Sequence, residues 1–122
     1  MAWILDNDRP IYLQLVERIQ MQIVSGEYPP GAKLPSVREL AAVAAVNPNT
    51  MQKALSELER DNLVYAVRTT GRFITEDQEL IDETKKEFAR LHVENFYSQM
   101  NSLGFDKNEM INMLSQYKEE IK

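Results

Sequence analysis

At 122 residues, with 43% hydrophobic and 27% charged side chains, the chain has room for one compact domain and a short appendage. Its lack of cysteine excludes disulfides, thiolate metal centres and thiol nucleophiles. The net charge of −5 is unevenly spread: eight bases face eight acids up to Thr75, then six bases face eleven acids, so the acidic excess lies wholly in the last part.

The opening stretch Met1–Pro10 has a brief apolar run (Ala2, Trp3, Ile4, Leu5) broken by Asp6 and Asp8. It lacks a basic leader and is too short for a signal peptide or membrane span, which points to a cytoplasmic protein without a membrane partner. After Pro10, the spacing of Tyr12, Leu15, Val16, Ile19 and Ile23 predicts a helix from Ile11 to about Ser25, stopped by Gly26. Glu27-Tyr28-Pro29-Pro30-Gly31 continues neither helix nor strand and is expected to be a loop.

Ser36-Val37-Arg38-Glu39 has the form of a capping box, which opens a short helix of small residues through Ala44; Ala45-Val46 is then a turn. Asn47-Pro48 starts the next helix, because asparagine caps well and proline suits the first helical position. Met51, Ala54, Leu55 and Leu58 mark its buried face, and Asn49, Gln52, Lys53, Ser56 and Arg60 its exposed one. The end falls near Asp61-Asn62.

Leu63–Val67 and Phe73–Thr75 read as strands joined through Arg68-Thr69-Thr70-Gly71-Arg72, with Gly71 supplying a positive φ: a small β-wing with arginine at both shoulders. From Asp77 to about Leu103 a polar helix is expected, ended by Gly104. Asp106 and Glu109 cap a final helix. Phe88, Leu91, Phe96, Met100 and Leu103 on the first of these helices make a poor core with Met110, Leu114, Tyr117 and Ile121 on the second, and are expected to be buried in a homodimer.

The fold class is therefore mainly α with a small β-wing. A winged helix-turn-helix domain (residues 1–75) is followed by a two-helix dimerisation unit (residues 76–122). In such a motif the second helix enters the major groove of duplex DNA. Asn47, Asn49, Thr50, Gln52 and Lys53 would meet base edges there, since asparagine and glutamine can bond adenine N6 and N7. Ser36 and Arg38 would contact phosphates, and Arg68, Gly71 and Arg72 form the wing. Each feature alone is an ordinary solvated face or helix cap; their order and spacing carry the reading.

The pieces Pro10-Ile11-Tyr12-Leu13-Gln14, Gly26, Pro30-Gly31, Leu34-Pro35-Ser36-Val37-Arg38-Glu39-Leu40-Ala41, Val46-Asn47-Pro48-Asn49-Thr50, Ala54-Leu55, Leu58-Glu59 and Gly71 with Phe73 resemble the N-terminal domain of the GntR family of bacterial regulators. The Asn-Pro-Asn-Thr turn and short tail are similar to its YtrA-like branch. The resemblance implies a sequence-specific transcriptional regulator, a repressor on a palindromic operator, with the same groove, backbone and wing residues. Pro48 and Gln52 depart from it, standing where many members carry arginine, and Thr69-Thr70 replaces a more basic or glycine-rich stretch.

The competing reading is a protein-interaction adaptor on a winged-helix scaffold that no longer binds DNA. An enzyme is not expected: His92 is the only histidine, the carboxylate pairs do not share a helix face, and no phosphate loop or nucleophile elbow is present. No cofactor or metal is called for. A small-molecule effector is left open as a further partner, the methionines reading first as dimer-core filler.

Overall fold

The computed structural model describes residues 3–119. Seven elements follow one another: α1 (Ile11–Val24), α2 (Val37–Ala44), α3 (Pro48–Arg60), β1 (Val64–Val67), β2 (Gly71–Ile74), α4 (Gln78–Ser102) and α5 (Lys107–Gln116). The architecture is mainly helical with a two-stranded antiparallel wing, as the patterning indicates. The chain divides into two compact units, Met1–Lys85 and Lys86–Lys122. That division lies ten residues beyond the boundary expected after Thr75, because Leu80 and Ile81 in the first turn of α4 join the N-terminal core.

In the first unit α3 packs against α1, α2 and β1. Met51, Ala54, Leu55 and Leu58 of α3 are fully buried, in one cluster with Leu15, Ile19 and Ile23 of α1 and Leu40, Ala41 and Ala44 of α2. Small residues on α2 let it approach closely. Two glutamines on α1 are also buried, which apolar periodicity does not signal. Gln14 accepts from the Asp6 amide at 2.7 Å and donates to the Asp6 and Arg9 carbonyls at 2.8 and 3.0 Å, tying residues 6–9 to the helix. Gln22 donates to Glu27 at 2.8 Å.

The local start signals are all present. Ser36 and Glu39 form a reciprocal capping box on α2, and the Asn47 side chain accepts from the Asn49 amide ahead of Pro48. The stops are less ordinary. Leu63 donates to the Leu58 carbonyl and Asn62 to that of Glu59, leaving Asn62 at φ 65. Val46 donates to Ala41 and Ala45 to Ala42, leaving Ala45 at φ 60. Both are Schellman closures, whose left-handed residue is usually glycine. An alanine Cβ is strained there, so Ala45→Gly is expected to stabilise the protein by about 0.5–1 kcal/mol in urea unfolding. A loss of stability would show that the turn tolerates the Cβ without strain.

β1 and β2 pair in the register Val64↔Ile74, Tyr65↔Phe73, Ala66↔Arg72 and Val67↔Gly71. β2 thus begins two residues before the expected Phe73 and takes in Arg72. A third extended segment joins its far edge, with Leu34 donating to the Arg72 carbonyl at 2.9 Å and Ile74 to that of Ala32 at 2.8 Å. The loop expected at Glu27–Gly31 runs directly into this segment.

In the second unit, Gly104 (φ 100) closes α4 through Phe105 donating to the Met100 carbonyl, and Asp106 with Glu109 forms the capping box of α5. Met110 is the one buried residue among those described here. Phe88 and Met100 are half-buried, and Leu91, Phe96, Leu103, Leu114 and Tyr117 are exposed. Tyr117 lies just past the end of α5 as its C-cap, and Ile121 lies outside the described residues.

Candidate nucleic-acid interface

The apolar stripe of α3 is wholly consumed by the core, which fixes the opposite face outward. Asn49, Gln52, Lys53 and Ser56 are exposed on it at helical spacing, and Thr50 is half-buried beside them. The contacts they make within the chain are weak or few. The Gln52 amide reaches the Ser56 hydroxyl at 3.5 Å, a long bond. The Lys53 ammonium sits 3.8 Å from the centroid of the Tyr12 ring, a cation–π contact that joins α3 to α1. With 13 residues, α3 is about 20 Å long, a length the major groove admits.

The neutral balance of the N-terminal part conceals a sorted arrangement. Glu17 pairs with Arg9, Glu57 with Arg60 and Glu59 with Arg72. Glu39 is engaged by the α2 cap. Among the described residues no carboxylate lies within ion-pair distance of Lys33, Arg38, Lys53 or Arg68. The first two line an open cleft of about 420 Å³ between the start of α2 and the wing tip, together with Ser36, Thr70, Gly71 and Arg72. Lys33 was not among the candidate residues. Its stem lies across Gly71 so closely that a Cβ there would come within 3.1 Å of Lys33 Cε. The contact is made across strands, so the sequence around Lys33 carries no local sign of it.

The wing tip has two positive-φ residues, Gly71 at 130 and, unforeseen, the β-branched Thr69 at 65. Arg68 is exposed at the tip. Arg72, expected at the other shoulder, is instead inside β2 and bonded through Nε to Glu59 Oε1 at 2.5 Å.

The Glu39 carboxyl is held below the usual carboxylate range, chiefly by the Ser36 backbone amide, then by the Ser36 hydroxyl, with Lys33 adding attraction. A lowered folded-state value means the cap's contribution is present above the unfolded carboxylate pKa and is lost as pH falls through the folded one. Glu39→Gln is therefore expected to melt below wild type at neutral pH and to converge with it on acidification. Thermal melts at descending pH check this; a gap that widens in acid would contradict the cap's ionised form.

No helix among the described residues is long and apolar enough to cross a membrane. The described residues hold no group of three or more histidine, cysteine, aspartate or glutamate side chains placed to bind a metal ion.

The model of the family described as bacterial regulatory proteins, gntR family, matches residues 11–74. The chain is 43% identical over 113 residues to the HTH-type transcriptional regulator YhcF of Bacillus subtilis strain 168, covering 93% of each. It is 42% identical over 71 residues to the HTH-type transcriptional repressor YtrA of the same organism, covering 58% of this chain and 55% of that one. Among solved structures, a GntR family transcriptional regulator from Listeria monocytogenes superposes with a TM-score of 0.86 at 42% identity, over 93% of this chain and 100% of that chain. The AraR DNA-binding domain in complex with operator ORX1 gives 0.57 at 28% identity, over 62% and 95%.

Proposed function

Because the chain belongs to the gntR family of bacterial regulatory proteins, we propose that it is a cytoplasmic repressor that binds a palindromic DNA operator as a homodimer and has no enzymatic activity. One observation carries the reading: the outward face of α3 holds amide and ammonium groups, and Arg38 on α2 and Arg68 at the wing tip have no carboxylate partner among the described residues. The operator complex of the AraR domain supports it.

Asn49 and Gln52 are assigned to base edges, with Asn47 and Thr50 beside them where α3 begins. Lys53, Arg38, Ser36 and Arg68 are assigned to phosphates, and Gly71 shapes the wing tip. Repression follows from a dimer occupying a promoter, and the relative named a repressor supports that sense. The dimer is assigned to the second unit. There Val93, Phe96, Tyr97, Met110, Ile111 and Leu114 line an apolar groove of about 430 Å³, and Leu103 and Leu114 are 72% and 61% exposed. Apolar surface of this kind marks an interface. A small-molecule effector remains open to a ligand screen by thermal shift.

Fluorescence anisotropy on pooled random duplex DNA at low and physiological salt tests the reading, and selection from the same pool yields the operator. Tight, salt-sensitive binding is expected, because phosphate contacts release counterions. No binding at low salt would overturn the reading and favour the adaptor, for which the neutral N-terminal charge is the specific support. On the selected operator, Asn49→Ala and Gln52→Ala are each expected to relax base preference at one position by about 1–3 kcal/mol. Uniform weakening on every sequence would show that they do not read bases.

A further inference from the structure

The Glu59–Arg72 pair joins the recognition helix to the wing across 13 positions of sequence. Successive side chains of a strand point to opposite faces, so Arg72 shares the face of Ile74 and not that of Phe73. Ile74 is fully buried in the core, whereas Phe73 stacks on Tyr65 on the other face at a centroid distance of 5.8 Å. Arg72 thus extends the core-facing row beyond its last apolar member, where Glu59 near the end of α3 meets it. Its side chain is 21% exposed and that of Glu59 33%. Its backbone carbonyl is also taken, accepting from Leu34. The Arg68 side chain has no such restraint: it is exposed at the tip, with no carboxylate partner among the described residues, and only its backbone carbonyl is engaged, by the Thr69 hydroxyl.

We propose that Arg72 is a wing-positioning residue and not a phosphate contact: with Glu59 it locks the wing hairpin onto the C-terminal part of α3, so that the tip and the groove-facing side chains reach DNA as one rigid surface. The proposal rests on the DNA-binding reading above. It assigns a role to Glu59, an acid whose charge would otherwise only oppose a polyanion. The pair is partly solvated, so breaking it changes global stability little, and its effect belongs in binding.

The two roles for Arg72 give opposite signs on removal of the acid. If Arg72 is a phosphate contact restrained by Glu59, then Glu59→Gln frees a cation and removes an anion. Binding would tighten, and the slope of log K against log salt would steepen by about one unit. If the pair is a brace, Glu59→Gln weakens binding by about fivefold without steepening the slope. The exchanged pair E59R/R72E then recovers most of the affinity, while R72E alone does not. The same anisotropy assay on the random duplex pool measures all of these with wild type alongside. Amide exchange in the DNA-free proteins adds a separate readout, the Leu34 and Thr70 amides exchanging faster in Glu59→Gln. Tighter or unchanged binding by Glu59→Gln, or failure of the exchanged pair, overturns the brace while wild type still binds. Absence of binding by wild type overturns the DNA-binding reading itself, and the brace's function with it.

Discussion

Alanine at position 38 is expected to lower affinity for duplex DNA by about tenfold on every sequence and to flatten the slope of log K against log salt by about one unit. Arg38 lies in the first turn of α2, exposed, lining the cleft with Lys33 and Ser36 and free of any carboxylate among the described residues. Its cationic head therefore costs no internal partner to deploy, and it sits where backbone amides at a helix start favour an anion. Because the side chain is exposed and the Ser36–Glu39 cap does not use it, the melting temperature should hardly move. Anisotropy titrations at three salt concentrations, on selected and scrambled duplexes, give both quantities. A loss confined to the selected duplex would make Arg38 a reader of bases. An unchanged slope would place the start of α2 away from the phosphates.

Leu55→Ala is expected to produce the largest loss of stability, about 2–5 kcal/mol. Leu55 is fully buried on α3, the helix that packs against α1, α2 and β1. A cavity there lies in the helix through which α1, α2 and β1 are joined. For a total stability of about 5–15 kcal/mol such a loss is a large fraction, and a fall in melting temperature of about 10 °C or more follows. Urea unfolding measures it directly. The outward face of α3 is untouched, so the fraction that remains folded should bind DNA with wild-type affinity. A loss below about 1 kcal/mol would mean that the site collapses around the smaller side chain and that α3 is not the centre of the core.

What the sequence makes legible is local. Ser36 with Glu39, Asn47 with Pro48, and Asp106 with Glu109 each complete their interaction within three residues, so residue type and spacing suffice. The apolar stripe of α3 is likewise written in its own helical period. Apart from the left-handed Thr69, the features that escaped join segments apart in sequence. Arg72 reads as a wing arginine until β2 places it on the same face as Ile74, opposite Glu59. Lys33 reads as a loop charge until the strand bridge to Phe73 brings it over Gly71. Tyr12 looks like one more helix residue until Lys53 is found above its ring. Leu80 and Ile81 carry no mark of which unit they serve, and only packing assigns them to the first. For the candidate site, the outward residues of α3 are legible as a face, whereas the pairing that separates engaged cations from those without a carboxylate among the described residues is not.

Among the described residues, the three held at positive φ without being glycine, Ala45, Asn62 and Thr69, also shape how this fold can change. Each is a place where the backbone carries avoidable strain, and none lies on the outward face of α3. They form a reserve of second-site suppressors. In a population carrying Leu55→Ala, selection for restored stability should recover glycine at 45 or 69 repeatedly, because that exchange returns stability without altering a side chain on the outward face of α3. The route by which the protein tolerates core damage, and so the range of sequences its lineage can explore, would then be set by turn residues that lie off the outward face of α3.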